Sequence, residues 1–464
     1  MARRGELPEL VVRIDRLAAE GRAIASALDR VLFLEGVVPG DLVRAQVTKK
    51  KAKFMEGYVT ELLQPSPLRL QPPCQHFALC GGCQWQMLPY TLQLQAKQEQ
   101  VYTQLQHIGG IGLEKARPIL GASPTLAYRN KLEYTFSPRG WVAGTLDKEA
   151  PLPPALGFHV PRKFDRVLNI EECLLQPPIS NQIRNAIRTY ALAHGLSFYD
   201  AKLQEGLLRN LMLRITTTGQ IMVLLVVREA CVEVERLLDY IAETFPQITS
   251  LLWTVNPKVN DTLYDLEIRL WRGTSYLVEQ LGNLEFEIGA KSFYQTNSRQ
   301  ALTLYHAVRE LAQLHGTETV YDLYTGTGTI ALYLAHLAGH VVGVETVPEA
   351  IEDAKRNAAR NRVENVDFVV GDVQDILSPT FVARYGRPDV LITDPPRAGM
   401  HPRVVAFLLE LAPTRIVYVS CNPATQARDL GLLKEKYTIE AIQPVDMFPH
   451  TKHVENIVSL QLKQ

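Results

Sequence analysis

Apolar and polar residues alternate along residues 8–63, as in Leu10-Val-Val-Arg-Ile-Asp15 and Leu42-Val-Arg-Ala-Gln-Val47, with turn signals at Gly21, Val38-Pro-Gly-Asp41 and Gly57. This period of two with regular punctuation predicts short strands closing into a small β-barrel. Pro65-Ser-Pro67 and Pro72-Pro73 break the alternation and mark a linker. Residues 91–108 predict a helix, and residues 125–290 are mostly strands, including a hairpin through Gly219-Gln220 into Ile221–Val227. From about residue 317 the rhythm changes to strand and helix in turn. Strands are expected at 320–324, 340–345, 366–372, 389–394 and 415–420, with helices at 330–338 and 348–361. Buried strands alternating with helices predict an α/β, doubly wound, Rossmann-like parallel sheet. The expected division is a barrel over 1–66, a β-rich central domain over 67–290 and an α/β domain over 291–464.

Composition adds limits rather than identity. The 464 residues are 46% hydrophobic and 21% charged, the profile of a globular chain of about three domains. The longest apolar stretch, Ile221–Val227, is far short of the roughly 20 residues of a membrane span. Met1-Ala-Arg-Arg4 opens no apolar targeting segment, so a cytoplasmic protein is expected. Net charge is zero, but residues 1–70 hold 12 Lys and Arg against 9 Asp and Glu, with Lys49, Lys50, Lys51 and Lys53 bunched together. Alone, such a run reads as a solvated loop. Six cysteines are too few for a disulfide scaffold and point to a reducing compartment. Cys74, Cys80 and Cys83 cluster, and Cys173 follows about 90 residues later in Ile170-Glu-Glu-Cys173. Four thiolates suit either a structural zinc or an iron–sulfur cluster. Cys231, on an apolar stretch, is expected to be buried and inert.

In a doubly wound sheet, chemistry collects at the carboxyl ends of the strands. The first strand of the α/β region runs into Asp322-Leu-Tyr-Thr-Gly-Thr-Gly-Thr329, where Gly326 and Gly328 let backbone approach a ligand at a helix N-terminus. The spacing is neither the G-x-G-x-x-G of a dinucleotide site nor a phosphate loop. Glu345 ends the second strand, placed for ribose hydroxyls, and Asp372 the third, in reach of an adenine. This set suits S-adenosylmethionine better than NAD. The fourth strand ends in Asp394-Pro-Pro-Arg397 and the fifth in Ser420-Cys421-Asn-Pro423, and Pro449-His-Thr-Lys-His-Val-Glu455 precedes the last strand. Cys421 is a nucleophile candidate, although a lone thiol there is more often core.

Phe293-Tyr-Gln-Thr-Asn297, Asp322-Leu-Tyr, Asp394-Pro-Pro-Arg, Ser420-Cys-Asn-Pro and His453-Val-Glu455 together resemble the bacterial RNA uracil-C5 methyltransferases. The resemblance extends over nearly the whole chain, the barrel looking like a TRAM domain. It implies that Cys421 adds to carbon 6 of uracil, which turns the weakly nucleophilic carbon 5 into an enolate carbon able to take the sulfonium methyl. Glu455 matches the base that removes the carbon-5 proton, and Asp394 would hydrogen-bond the uracil edge. The implied methyl-donor residues are Gln295, Tyr324, Glu345 and Asp372, with Asp394 at the border; Thr329 stands where family members often carry Asn, implying a weaker or replaced contact. For Cys74, Cys80, Cys83 and Cys173 the resemblance implies a [4Fe-4S] cluster, mainly structural or RNA-positioning.

A uracil must leave its stack to react, which accounts for extra RNA-holding domains, and in this context Lys49–Lys53 with Phe54 becomes an expected RNA contact. Members acting on tRNA are often shorter and lack both barrel and cluster, so 23S rRNA is the expected substrate, with tRNA as the alternative and a monomer as the default. Two other readings compete: an RNA-binding folding factor with dispensable methylation, and an amino-group RNA methylase using Asp394-Pro-Pro. The latter normally carries an aromatic residue fourth in that motif, where Arg397 stands here.

Overall fold

A computed structural model describes residues 7–142, 152–161 and 163–464; the opening Met1-Ala-Arg-Arg4 lies outside them. The alternating N-terminal segment forms six strands: β1 (Glu9–Arg13), β2 (Arg16–Leu17), β3 (Ala23–Ala27), β4 (Arg30–Leu34), β5 (Leu42–Lys50) and β6 (Phe54–Gln64). Their order is β1-β5-β6-β4-β3-β2. The two edge strands are consecutive, two residues apart, so the sheet must curl back on itself. Ala25, Leu32, Val43, Ala45 and Met55 fill its interior. At its base the buried Asp41 carboxylate accepts from Val38 N (2.7 Å), Ser66 N (2.8 Å) and Arg69 Nη2 (2.6 Å). Burial alone would raise its pKa, but Arg69 and the two amides hold it below the usual carboxylate range.

The linker leads through the cysteine segment into α1 (Tyr90–Gln104), whose last turn widens over Leu105–Gly109 before Gly110 at φ 58° ends it. The expected helix is therefore present, but it packs on the C-terminal layer. Val101, Leu105 and Ile111 share one core with Tyr321, Ile416 and Ile442.

The central sheet has the order β13-β12-β11-β10-β7-β8-β9. Its strands are β7 (Lys131–Ser137), β8 (Ala155–His159), β9 (Val167–Asn169), β10 (Leu208–Ile215), β11 (Ile221–Val227), β12 (Ser250–Val255) and β13 (Arg269–Gly273). The expected hairpin joins β10 to β11 with Ile215 opposite Ile221 and Gly219 at φ 84°. Helices α2 (Pro178–Ala193) and α3 (Val232–Thr244) cover one face through Ile183, Ile187, Leu237 and Leu238. Cys231 is the residue capping α3 and is half-buried. The hairpin β14 (Tyr276–Leu281) and β15 (Leu284–Gly289) leaves this sheet; its Leu281, Phe286 and Ile288 belong to the core of the C-terminal layer.

That layer is a seven-stranded sheet: β16 (Thr319–Leu323), β17 (His340–Glu345), β18 (Val366–Val370), β19 (Val390–Thr393), β20 (Arg415–Ser420), β21 (Tyr437–Val445) and β22 (Glu455–Leu462), ordered β18-β17-β16-β19-β20-β22-β21. Helices α4 (Ser298–Ala312), α5 (Thr329–Ala335), α6 (Pro348–Arg360), α7 (Val373–Ile376), α8 (Pro379–Tyr385), α9 (Pro402–Leu411) and α10 (Pro423–Leu433) flank it. The expected Rossmann-like sheet is present, with one correction: β22 runs antiparallel to both neighbours. A second correction follows, because Glu455 begins that strand rather than preceding it. Residues 113–120 extend the sheet beyond β21, with Arg117 N and Leu120 N donating to Ile442 O (2.9 Å) and Pro444 O (3.0 Å). Among the described residues no helix is long and apolar enough to cross a membrane.

Candidate functional site: a cleft at the strand ends beside a half-buried cysteine

The reversed direction of β22 brings the two ends of the C-terminal layer together. Ser420, last in β20, pairs with Asn456. The antiparallel register then sets the next residue of one strand, Cys421, against the preceding residue of the other, Glu455. Asp394, just past β19, is the third member. Its amide reaches back to Leu323 O at 3.4 Å. Three acidic groups thus meet in one buried spot. Burial, then Glu455 and Asp394, push the Cys421 thiol up to about 11, against the opposing pull of Arg397. Burial and the Asp322 carboxyl push Asp394 up to about 7, and burial with Asp394 raises Glu455 well above the ordinary carboxylate range. Such a group holds its protons as a set.

The segment after β19 is fixed over this spot by α10. Asn422 Nδ2 (2.9 Å) and Thr425 Oγ1 (3.2 Å) both donate to Arg397 O, and Arg397 Nη2 lies 3.3 Å from His453 Nδ1. Burial, then Arg397 and Lys452, lowers His453 to about 4, so it faces Arg397 as a neutral ring at neutral pH.

Beside this spot a cleft of about 1030 Å³ opens at the carboxyl ends of β16, β17, β18 and β19, lined by Tyr324, Gly326, Glu345, Asp372 and Asp394. Its glycine loop is held from below: Asp322, fully buried, accepts from Thr325 Oγ1 (2.5 Å) and Ala331 N (3.1 Å). Tyr324 enters the loop at φ 64° and Gly328 leaves it at φ 78°. A β-carbon on Gly328 would stand 2.8 Å from the Phe368 ring, so glycine is required there twice over. Glu345 accepts from Gly326 N (3.1 Å), Thr346 N (2.8 Å) and Val347 N (3.0 Å), which orients its carboxylate at the cleft wall. Asp372 caps α7 through Gln374 N (3.1 Å).

Two sequence candidates stand off the cleft wall. Thr329, half-buried at the start of α5, shares a 3.1 Å hydrogen bond with Tyr305, which lies within electrostatic reach of Asp322, Asp394 and Glu455. Gln295 is tied by its carbonyl, which accepts from Asn130 Nδ2 at 2.9 Å. Conversely, sequence reasoning missed Ser292 and Asp353, joined by a 2.5 Å hydrogen bond at the cleft wall, and Tyr264 and Ile268 from the central domain. Ser292 precedes the Phe293 motif by one residue; nothing in the local sequence of Tyr264 or Ile268 marks them.

The four cysteines of the cluster expectation do converge. The thiols of Cys80 and Cys83 are pushed up to about 11 and about 12 by burial first, and then by charge on neighbouring thiols that include Cys74 and Cys173. Cys173 is anchored to α2 by its amide, which donates to Asn181 Oδ1 at 2.8 Å. Among the described residues, however, no group of three or more His, Cys, Asp or Glu side chains stands in metal-holding geometry.

The model of the tRNA (Uracil-5-)-methyltransferase family matches residues 273–463, from the end of β13 to the end of β22. A Bacteroides thetaiotaomicron protein described as an uncharacterized RNA methyltransferase is 52% identical, over 96% of this chain and 100% of its own. A Porphyromonas gingivalis protein of the same description is 51% identical over 97% and 99%. Among solved structures, the Pyrococcus abyssi tRNA (uracil-54, C5)-methyltransferase in complex with S-adenosyl-L-homocysteine is 30% identical, with a TM-score of 0.76, over 98% of this chain and 100% of that one. This last match corrects an expectation: an enzyme of that name spans the barrel too, so the barrel does not separate rRNA from tRNA enzymes. With a full-length relative at 52% identity and the family model over the α/β layer, the chain belongs to the RNA uracil-C5 methyltransferase family, S-adenosylmethionine-dependent enzymes of RNA.

Proposed function

We propose that this protein methylates carbon 5 of a uridine in 23S rRNA, with Cys421 as nucleophile and Glu455 as base. The observation that carries the roles is the β20–β22 register, which sets these two residues against each other at the edge of the methyl-donor cleft. In the proposed reaction the Cys421 thiolate bonds to carbon 6 and the double-bond electrons move towards the carbon-4 oxygen, making an enolate. Carbon 5 then takes the methyl group and S-adenosylhomocysteine leaves. Glu455, once it has given its resting proton to solvent, accepts the carbon-5 proton while the carbon 6–sulfur bond breaks and restores the thiolate. Asp394, high enough in pKa to carry a proton near neutrality, can donate to the uracil edge where that charge develops. Glu345 would take the ribose of the donor, Asp372 its base and Tyr324 the loop side, with Gln295 and Thr329 completing the donor site.

Cys74, Cys80, Cys83 and Cys173 would hold a [4Fe-4S] cluster, an electron-rich group that here would tie the linker to α2. Four thiols meeting from two segments support this, and the reducing cytoplasm is the compartment such thiols require. A monomer is the proposed working form. The exposed Lys50, Lys51 and Lys53, beside Phe54 on the barrel, support contact with single-stranded RNA. A second reading, tRNA as substrate, is favoured by the full-length match to the archaeal tRNA enzyme.

The test is methyl transfer from labelled S-adenosylmethionine to unmodified 23S rRNA and to tRNA, by wild type and Cys421→Ala, with the product nucleoside identified by mass. 5-Methyluridine in 23S rRNA that disappears with the variant is the expected result. The same product in tRNA alone replaces the substrate and keeps the chemistry. A methylated base other than uridine, or full activity in the variant, rejects the covalent mechanism. Iron and sulfide analysis of anaerobically purified protein tests the cluster separately; zinc in their place rejects it.

A further inference from the structure

The central sheet carries two concavities that the methyl-transfer site does not use, at opposite ends of the β7–β10 ladder. One, about 410 Å³, is lined by Arg129, Lys131, Arg214 and Phe293, and it joins the methyl-donor cleft through Ser292 and Phe293, which line both. Phe293 is 67% exposed. Lys131 faces Arg214 across the ladder, and four residues on, Thr135 faces Asn210. Thr135 and Asn210 line the second concavity, about 650 Å³, near the far end of β7. Phe158, at the first, and His159, at the second, are neighbours on β8. From Lys131 to Ser137 the strand runs about 20 Å. That is about six stacked nucleotides, and fewer when the strand is extended.

The far pocket has fixed walls, and Lys163 Nζ at its rim lies 4.4 Å from the centre of the Trp141 ring. Arg209, buried, lies 4.2 Å over the Tyr199 ring and donates to Asn256 O (2.7 Å), Asn260 O (3.1 Å) and Asp261 Oδ1 (2.8 Å), which pins the 256–261 loop to the strand. Arg139 is spent on Asp200 at 2.7 Å. The groups turned outward are different: Phe164, 74% exposed, with Lys163, Lys202 and His159, all exposed. An exposed Phe is unremarkable alone. Set beside Lys202 and His159 in a walled concavity, which Asp165 also lines, it matches an anionic backbone carrying flat bases.

We propose that this pocket takes an unstacked nucleotide of the RNA substrate, a few residues along the strand from the target uridine, by stacking on Phe164 with its phosphates on Lys163 and Lys202. The proposal rests on the RNA-methylating reading above and extends it to a second, non-catalytic base site.

The probe is a fluorescein-labelled 20-nucleotide oligouridine carrying 4-thiouridine. Its affinity for the wild type, Phe164→Ala and Lys202→Glu is measured by anisotropy across a salt series, with an unchanged melting temperature showing that each variant is folded. Loss of a stacked base should weaken Phe164→Ala by about 5- to 150-fold. Lys202→Glu should flatten the salt slope by about one phosphate contact. Photocrosslinking should mark the peptide containing Phe164. Variants that bind like the wild type, or crosslinks confined to other segments, overturn the pocket while leaving the methylation reading intact. A wild type that neither binds nor methylates RNA overturns the reading beneath it instead.

Discussion

Cys421, the proposed nucleophile, should be almost inert at rest. Burial and two neighbouring carboxyl groups raise Cys421 to about 11, whereas a free cysteine titrates near 8.5. At pH 8 a free thiol is roughly one-quarter ionised, and Cys421 about one part in a thousand, a deficit of about 240-fold in thiolate. The higher pKa also makes the thiolate intrinsically more nucleophilic. With a Brønsted slope of about 0.45 over about 2.5 pKa units, that returns a factor of about 13. The net expectation is alkylation by iodoacetamide roughly 20-fold slower than free cysteine at pH 8, before any steric shielding. The sign with pH follows: the rate should climb close to tenfold per unit above pH 8 and level off only near pH 11. Arg397→Met removes the cation that favours the thiolate and should slow alkylation further. Peptide-resolved mass spectrometry separates Cys421 from the other five cysteines. Modification of Cys421 at pH 8 as fast as free cysteine, or a rate flat between pH 8 and 10, would refute the argument that the buried acidic surroundings hold the thiol protonated.

Three further perturbations read other parts of the site. Glu345→Gln keeps the shape but takes the charge from a carboxylate bound by three backbone amides, so S-adenosylhomocysteine binding, followed by calorimetry, should weaken about 10- to 100-fold; unchanged affinity would remove Glu345 from the donor site. Gly328→Ala adds a β-carbon 2.8 Å from the Phe368 ring at φ 78° and should lower stability by about 1–3 kcal/mol in urea unfolding, whereas a neutral result would mean the loop is not held as described. Lys97→Met leaves the Asp446 carboxylate buried without the ammonium now 2.5 Å away, and a loss of about 3–5 kcal/mol is expected, with the companion Lys97→Met/Asp446→Leu recovering most of it.

Much of the α/β layer was legible because its signals are local. Glu345 ends a strand, Asp394 and Cys421 follow strands, and the switch in hydrophobic period announced the sheet that carries them. What could not be read is relative direction. Glu455 looked like a residue in a polar cluster ahead of the last strand; only the antiparallel register of β22 sets it against Cys421. The assignment of α1 was hidden for a similar reason. Its burial face includes Gln93 and Lys97, polar residues whose partners lie about 350 positions away, so no amphipathic stripe pointed to the C-terminal layer.

The same buried polar contacts explain how the cysteine segment can matter to a reaction it does not touch. Gln84 N and Trp85 N both donate to His450 O, at 2.9 and 3.0 Å, immediately after Cys83. Gln93 in turn accepts from His450 N at 2.8 Å, and Lys97 holds Asp446 and Phe448 O. The 446–451 turn therefore rests on the cysteine segment and α1, and that turn delivers His453 and Glu455 to the spot opposite Cys421. His450 itself sits at φ 65°, a conformation a non-glycine residue holds only when its surroundings impose it. Order at Cys83 is thus coupled to the position of Glu455, the proposed base, through main-chain hydrogen bonds, with no need for the cysteines to meet the uridine. Loosening the segment should lower kcat for methyl transfer while leaving S-adenosylhomocysteine affinity unchanged, because Glu345 and the glycine loop lie on the other side of the sheet's switch point and share none of these contacts.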